Sequence, residues 1–259
     1  MVRFGAAGWR DGQMIAPRRP DPGPVTDESV LLLHGLWMNR LAMGWLDRAV
    51  RQAGFSTRAL TYRSVRAPLA VHLAQLSQCI AALPNRRIHL VGHSLGGILA
   101  LRYLQASHPR REGASPLAHP DIGKTPGRFL PSHAVDPRIG RCVLLGAPVA
   151  GCDSARDLAG RPGGRWILGR SVELWHAPFD TTLDPRFEVG AIAGSWPLGL
   201  GRLFARAPSP GDGVVGVEET RLPGLSDHLV IHINHSGMLI SPAVARAVVA
   251  FLKEGRFNT

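Results

Sequence analysis

Gly92-His93-Ser94-Leu95-Gly96-Gly97 is the stretch that decides the fold of this chain. It follows a short apolar run, residues 88–91, which predicts a buried strand, and it opens a run with helical apolar spacing that extends to about residue 107. On such a strand–turn–helix connection the serine backbone is strained and flanking side chains would collide, which explains a glycine two residues to either side. The stretch predicts a nucleophile elbow with Ser94 at its tip and the Leu95 N–H directed at a developing oxyanion. The alternative is an ordinary glycine-rich turn.

The segments around the elbow alternate between predicted strands and predicted amphipathic helices. The strands are predicted over residues 29–33, 55–62, 87–91, 141–145, 189–193 and 229–233. The helices are predicted over residues 41–53, 69–83, 95–107 and 242–252. Such alternation indicates right-handed βαβ crossovers, so we expect an α/β fold with a mainly parallel central sheet flanked by helices.

The length of 259 residues and the hydrophobic content of 45% suit one folded domain with a sizeable core. We expect this domain to span residues 29–257, after a mobile arm over residues 1–28 that is rich in glycine, proline and charge. Proline and arginine dominate a segment without periodicity at about 107–140, which predicts an insertion. Residues 150–185 have no clean period either and predict a short irregular lid or cap.

Lysine and arginine outnumber aspartate and glutamate by 30 to 19, which gives a formal net charge of +11. Many of these charges fall in the stretches 17–24 and 109–128, outside any helix face. No recognition helix or aromatic platform accompanies them, so nucleic acid is not an expected partner. Peripheral contact with an anionic membrane surface stays open.

The cysteines Cys79, Cys142 and Cys152 lack the paired spacings of a zinc site and are too few for a disulfide framework. We therefore expect no metal and no cofactor. The first 20 residues contain several arginines and no continuous apolar run, and no stretch is long enough to span a bilayer. The sequence predicts a cytoplasmic protein, with attachment to the inner membrane surface as an open alternative.

A serine at a nucleophile elbow needs an acid and a base, which follow the serine along the chain in that order. The base for Ser94 is therefore expected after the last strand. His235 fits this position in Asn234-His235-Ser236-Gly237, between the last predicted strand and the closing helix. The other histidines fit less well; for example, His89 and His93 belong to the elbow strand and its turn. His235 is therefore the candidate base.

The candidate acid is Asp212, in the polar turn Gly211-Asp212-Gly213-Val214-Val215, 23 residues before the candidate base. A carboxylate there can accept the imidazole N–H and fix the tautomer of the ring. Asp227 is the rival, but it begins the last predicted strand and would lie at the opposite end of the sheet, while Glu218 and Glu219 are more distant alternatives. A Gly-Asp-Gly sequence could also serve only to bend the chain.

Taken together, these residues resemble the lipase-type branch of the α/β-hydrolase family, including its small bacterial members, over roughly residues 29–257. The resemblance rests on the elbow and on five further motifs. These are Leu31-Leu32-Leu33-His34-Gly35-Leu36, Leu145-Gly146-Ala147-Pro148, Ile192-Ala193-Gly194, Gly211-Asp212-Gly213-Val214-Val215 and His235-Ser236. The segment at 107–140 is longer and more basic than is usual in this group, and the lid region has no clear family pattern.

The resemblance implies a serine esterase or lipase that uses the triad of Ser94, Asp212 and His235 without a cofactor. It places the second oxyanion donor on the backbone N–H of Leu36, after His34-Gly35, with His34 itself structural. A lipophilic acyl ester, small or lipidic, is the expected substrate.

Trp37 and Met38 follow the oxyanion turn and are candidate substrate-binding residues, although such side chains can also simply pack a small core. Two other functions remain open. The same triad could transfer the acyl group to a lipid or another alcohol. The chain could also be a hydrolase-shaped binding protein without catalytic activity.

Overall fold

A computed structural model describes residues 27–105, 135–172, 183–198 and 210–258, and the backbone of residues 9–10 and 13–14. Its strands are β1 (Trp9–Arg10), β2 (Gln13–Met14), β3 (Glu28–Leu33), β4 (Ser56–Leu60), β5 (Arg87–His93), β6 (Ile139–Leu145), β7 (Val189–Gly194) and β8 (Asp227–Ile231). The strands β1 and β2 pair antiparallel. The other six form one parallel sheet in the order β4-β3-β5-β6-β7-β8.

The α-helices described are α1 (Gly44–Gln52), α2 (Leu69–Ala81), α3 (Leu95–Gln105), α4 (Asp153–Gly160), α5 (Gly164–Leu168) and α6 (Pro242–Glu254). Short 3₁₀ turns cover Arg40–Met43, Gly169–Ser171, Glu218–Thr220 and Gly237–Ile240. The helices α2 and α3 bury their apolar residues on one face of the sheet, and α1 and α6 on the other. The predicted α/β class, a mainly parallel sheet flanked by helices, is confirmed.

The strand β3 shows why its sequence is continuously apolar. Alternate side chains of a strand point to opposite faces, and here both faces are covered. Leu31 and Leu33 belong to the core beside α2 and α3, whereas Val30 and Leu32 belong to the core beside α1 and α6. All four are fully buried, so an alternating polar pattern would have left polar groups in one of the two cores.

The closing helix α6 begins and ends as its sequence predicts. The Ser241 hydroxyl accepts a hydrogen bond from the Val244 N–H at 3.3 Å, and Pro242 occupies the first turn, where its missing N–H leaves no bond unmade. Gly255 ends the helix in the left-handed conformation, with φ of 78°. This helix fixes the position of the loop that precedes it.

Several boundaries differ from the sequence prediction. The sheet starts at Glu28, inside the segment assigned to the mobile arm, because Glu28 pairs with Arg87 and the Asp27 carbonyl accepts the Arg86 N–H at 2.9 Å. The strand β8 covers Asp227–Ile231 rather than residues 229–233, since its first residues pair with β7. Apart from the short strands β1 and β2, the rest of the predicted arm lies outside the described residues, and so does most of the predicted insertion.

The cap also differs from the irregular segment that we predicted for residues 150–185. It contains the helices α4 and α5, because Ala155 and Leu158 are buried on one side of a helix of only eight residues. So short a pattern, followed by several glycines, is too brief for a periodicity test to detect. Within the described parts of the chain, no helix has the length and apolar character needed to cross a membrane.

Candidate active site

Ser94 occupies the sharp turn between β5 and α3. Its φ is 53°, a left-handed conformation that L-residues other than glycine rarely adopt. Hydrogen bonds on both sides hold this backbone, because the Ser94 N–H donates to the Leu145 carbonyl at 2.8 Å and the Ser94 carbonyl accepts from the Gly97 N–H at 2.9 Å. The strain therefore has a structural support, as is typical of functional residues.

The flanking glycines are required by contact with backbone. A Cβ added at Gly92 would lie 2.4 Å from the Gly96 carbonyl oxygen, and a Cβ at Gly96 would lie 2.3 Å from the Leu33 carbonyl oxygen. The Gly96 carbonyl could move only by disrupting α3, and the Leu33 carbonyl only by disrupting β3. The Gly-x-Ser-x-Gly pattern thus brings α3 directly against the ends of β5 and β3.

The acid turn and the base loop meet through a short hydrogen bond. The Nδ1–H of His235 donates to Asp212 Oδ2 at 2.7 Å, and both side chains are buried. The other carboxylate oxygen, Oδ1, accepts from the backbone N–H groups of Val214 and Val215 at 2.9 and 2.7 Å. Because Oδ1 is held by its own turn, Oδ2 is directed at the imidazole, and Nε2 of the ring remains to accept a proton.

Gly146, the residue after β6, brings the elbow and this acid–base pair together. The carbonyl of the preceding residue, Leu145, accepts a hydrogen bond from the Ser94 N–H. On the other side, a Cβ added at Gly146 would lie 3.0 Å from Asp212 Oδ2 and 3.1 Å from His235 Nδ1. Gly146 has φ of 52°, which strains any other residue, and a Cβ there would press against both side chains. The three predicted triad residues therefore lie at the same carboxyl edge of the sheet. Within the described part of the chain, no hydrogen bond joins the Ser94 hydroxyl to His235.

The two candidate oxyanion donors also lie beside Ser94. Leu95 is the first residue of α3, and Leu36 follows β3 in a turn whose Gly35 has its ideal Cβ position 3.4 Å from Ser94 Cβ. Among the described residues, neither the Leu36 N–H nor the Leu95 N–H has a hydrogen-bond acceptor. Two unpaired donors next to a nucleophile are what an oxyanion hole requires.

The candidate substrate-binding residues have different surroundings. Met38 is partly buried against the core beside α1 and α6. Trp37 has φ of 57°, its backbone N–H donates to Ser64 Oγ at 3.2 Å, and its indole N–H donates to the Ile167 carbonyl at 3.1 Å. Trp37 thus connects the oxyanion turn to the cap helix α5.

His93, which we expected only to be buried in the elbow, contacts the base loop directly. Its Nε2–H donates to the His235 carbonyl at 3.0 Å, and the two imidazole rings lie 4.7 Å apart. Its Nδ1 is buried and has no partner among the described residues. Burial, assisted by the nearby His235, lowers the pKa of His93 to about 3, so the ring is neutral. No sequence pattern signals this contact, because 142 residues separate the two histidines.

His34 is structural, as expected. Its Nδ1–H donates to the Gly35 carbonyl at 2.8 Å, and its ring stacks on Tyr62 with centroids 4.2 Å apart. The Tyr62 hydroxyl donates to the His34 carbonyl. Burial lowers the pKa of His34, which keeps it neutral and unsuited to a charged role in this turn.

The alternative acids, Asp227, Glu218 and Glu219, bind groups other than His235. Asp227 accepts from the backbone N–H groups of His228 and Phe257, at the amino end of β8. Glu218 forms an ion pair with Arg221 at 3.1 Å. Glu219 accepts from two backbone N–H groups, those of Asp153 at 2.6 Å and Gly216 at 2.7 Å, and so connects the acid turn to the start of α4. No group of three or more His, Cys, Asp or Glu residues in the described ranges could hold a metal ion.

Comparison with solved structures finds similar folds. A lipase of Bacillus licheniformis in its mature form aligns with a TM-score of 0.58 at 16% identity, over 94% of this chain and 96% of that chain. A metagenomic carboxyl esterase aligns with a TM-score of 0.54 at 19% identity, over 88% of this chain and 71% of that chain. A lipase-esterase related protein from Clostridium acetobutylicum aligns with a TM-score of 0.53 at 12% identity, over 88% and 94%. At such identities these likenesses show the fold alone.

No protein of curated function matches the sequence. Residues 30–253, by contrast, match the family model described as the alpha/beta hydrolase family. The matched span runs from β3 to α6 and includes the elbow, the acid turn and the base loop. The match covers most of the chain, and the observed sheet agrees with it. The chain therefore belongs to the alpha/beta hydrolase family.

Proposed function

We propose that this protein is a serine hydrolase that cleaves carboxylic esters through an acyl-enzyme on Ser94. One observation carries the proposal: Ser94 is held in a left-handed conformation beside the hydrogen-bonded pair of Asp212 and His235. Strained backbone at a strand–helix turn has a cost of about 1–3 kcal/mol, and such strain is retained where it serves function. Family membership supports hydrolysis in general, and the site geometry supports the serine mechanism.

In the first half of the reaction, Ser94 Oγ attacks the acyl carbon while His235 Nε2 takes the hydroxyl proton. The negative charge that develops on the former carbonyl oxygen is stabilised by the N–H groups of Leu36 and Leu95. The bond to the alcohol oxygen then breaks, and the alcohol leaves with the proton from His235. Asp212 accepts the Nδ1–H throughout, which holds the ring in the reactive tautomer and stabilises its protonated form.

In the second half, water replaces the alcohol. His235 Nε2 takes a proton from the water, whose oxygen attacks the acyl carbon of the ester on Ser94. The same two N–H groups stabilise the second oxyanion. The bond to Ser94 Oγ breaks, the serine regains its proton from His235, and the carboxylic acid is released.

A lipophilic acyl group is the substrate class that we propose. The turn after β3 places Met38 next to Gly35, with the sulfur 3.4 Å from the ideal Cβ position of that glycine, and Trp37 extends from the same turn. Both side chains are therefore close to the candidate oxyanion donor Leu36. Apolar side chains around a few polar groups are the usual composition of a small-molecule site.

Substitution of the triad tests the mechanism. Ser94→Ala should lower kcat for a p-nitrophenyl ester by about 10⁴–10⁶-fold, by analogy with measured triads. Asp212→Asn should lower kcat by about 10⁴-fold, because the amide favours the wrong imidazole tautomer. The matched control is Asp227→Asn, an acid at the opposite end of the sheet, and its kcat should stay close to that of the wild type. Equal loss in Asp212→Asn and Asp227→Asn would remove the assignment of the acid.

A chain-length series tests the substrate class. With p-nitrophenyl esters from acetate to long-chain acyl groups, kcat/KM should rise with chain length as apolar surface is buried. Equal kcat/KM across the series would contradict an apolar acyl site. Addition of an acceptor alcohol, with analysis of the products, separates the hydrolase from an acyltransferase with the same triad, since a transferase would yield mainly the new ester.

A further inference from the structure

Three chain segments meet beside the oxyanion turn: residues 36–41, 63–66 and 163–170. The indole N–H of Trp37 donates to the Ile167 carbonyl, and the backbone N–H of Trp37 donates to Ser64 Oγ. The backbone N–H of Arg170 donates to the Val65 carbonyl at 2.9 Å. These contacts make the three segments neighbours, and we call the surface that they form together the docking face.

The docking face carries positive charge and no acidic residue. The sequence has no aspartate or glutamate over residues 29–46, 48–111 or 158–172, which include all three segments. Four exposed arginines, Arg40, Arg63, Arg66 and Arg165, have no ion pair with any described residue. Of the eleven exposed arginines elsewhere in the described structure, six have a carboxylate partner and five have none; the six are Arg51, Arg156, Arg161, Arg186, Arg221 and Arg256. An exposed arginine with no carboxylate partner among the described residues is available to an anionic partner.

The same face exposes large apolar side chains. Trp166 is 87% exposed, Leu41 is 77% exposed and Trp37 is 57% exposed. Tryptophan, with an apolar ring and one N–H donor, is enriched at the interface between water and membrane. Apolar and basic side chains on one surface match the acyl boundary and the anionic headgroups of a bilayer at the same time.

We propose that the docking face binds the surface of an anionic phospholipid bilayer. A single-stranded nucleic acid would use the arginines and the tryptophans but would leave the exposed Leu41 in water, which favours the bilayer as the partner. Because the docking face includes the turn with Leu36, bound protein presents its candidate oxyanion hole toward the membrane. This last consequence rests on the proposed function, whereas the binding itself does not.

Vesicle flotation with the full chain tests the proposal. The Ser94→Ala protein is used, so that hydrolysis cannot alter the lipid. Vesicles of phosphatidylcholine alone are compared with vesicles that contain about 30 mol% phosphatidylglycerol. Each is measured at about 0.05 and 0.5 M salt, since salt screens exposed charges. Binding should require phosphatidylglycerol and should weaken at high salt.

Substitutions then locate the contact. Neutralising two arginines in Arg40→Gln/Arg165→Gln should weaken binding by about 10- to 30-fold, and Trp166→Ser should also weaken it. The matched control is Arg58→Gln/Arg246→Gln, because these arginines are also exposed, also lack an ion pair with any described residue, and lie on β4 and α6. Binding by the control should equal binding by the parent protein.

Three results would overturn the proposal. The first is equal loss of binding in the two arginine pairs, which would indicate a response to net charge alone. The second is full binding by the docking-face variants, which would assign the contact to arginines outside this face. The third is loss of affinity for a single-stranded oligonucleotide in those variants without loss of vesicle binding.

Failure of the proposed function is distinguishable, because it would appear as absent hydrolysis of a soluble short-chain ester and would leave the flotation result unchanged.

Discussion

The elbow framework, residues 87–97 with their neighbours in the sheet, differs sharply from the cap, residues 150–171. In the framework, a Cβ added at Gly92 or Gly96 would lie 2.3–2.4 Å from a backbone carbonyl oxygen. Nearly every residue of the framework is buried. In the cap, Gly160 has open space around its ideal Cβ position, and Trp166 is almost fully exposed. The framework therefore tolerates almost no change of shape. The cap is open at positions such as Gly160 but closely packed at others, since a Cβ at Gly164 would lie 1.7 Å from the Leu158 carbonyl oxygen.

This difference separates two tasks. The proposed chemistry depends on atoms positioned to within a fraction of an ångström, so it is built where the sheet fixes the backbone. The approach of substrate depends on surface chemistry, which loops and short helices can vary without loss of the fold. Two hydrogen bonds connect the cap to the candidate site. The Trp37 indole N–H donates to the Ile167 carbonyl, and the Ser154 hydroxyl donates to the Val214 carbonyl at 2.7 Å.

Paired glycine substitutions should show the largest contrast between the two regions. Gly96→Ala should lower the free energy of unfolding by about 3 kcal/mol or more, because its methyl group would overlap the Leu33 carbonyl. Gly160→Ala should leave the free energy of unfolding unchanged or raise it by about 0.4–1 kcal/mol, since alanine fits there and reduces the entropy of the unfolded chain. Urea denaturation measures both. Similar changes in the two variants would refute the proposed difference in rigidity.

The pH dependence of the free energy of unfolding tests the burial of His93 in the framework. The folded state keeps His93 neutral with a pKa of about 3, whereas the unfolded chain protonates it below its ordinary value of 6.5. Protonation therefore favours the unfolded state, and the free energy of unfolding falls as the pH drops from 6.5 toward 3. For this histidine the loss between pH 7 and 5 is about 2 kcal/mol.

His93→Gln keeps a side-chain donor for the His235 carbonyl and removes the titrating ring. Denaturation at pH 7 and pH 5 should therefore show a smaller pH-dependent loss in this variant than in the wild type, by about the same 2 kcal/mol. If both proteins lose the same stability over this range, His93 is not the buried neutral group described here.

Two serines of the cap should give the smallest effects. Ser154→Ala removes the bond from the cap to the acid turn, and Ser171→Ala removes a bond within the cap, from Ser171 Oγ to the Leu168 carbonyl at 2.6 Å. Each should cost about 1 kcal/mol of stability. Only Ser154→Ala should also lower kcat, because Val214 holds the Asp212 carboxylate. An unchanged kcat in both variants would show that the cap does not influence the acid turn.

The sequence predicts the framework well for a physical reason. A nucleophile elbow needs a buried strand, two glycines and a helix within about ten residues, so all of its constraints are local. The order of acid and base along the chain then points to Asp212 and His235, and the structure places these two in contact. Asp227 could be set aside because a residue at the start of a parallel strand lies at the opposite edge of the sheet.

The remaining features depend on contacts that the sequence does not encode locally. The bond from His93 to the His235 carbonyl exists only because β5 and the base loop meet in space. The cap helices are too short for periodicity to detect. The positive φ of Trp37 accompanies its bond to Ser64, a residue 27 positions away, and nothing in its residue type signals it. The arginines of the docking face are separated by up to about 125 residues, and their common surface emerges only from the fold.

Labelling with a fluorophosphonate probe tests the central claim most directly. An activated serine forms a stable covalent adduct with the probe, and mass spectrometry of the digested protein locates it. The proposed function predicts one adduct, on Ser94, that is absent in Ser94→Ala and forms far more slowly in His235→Gln. A folded wild-type protein that stays unlabelled, or that carries the adduct on another residue, would contradict it.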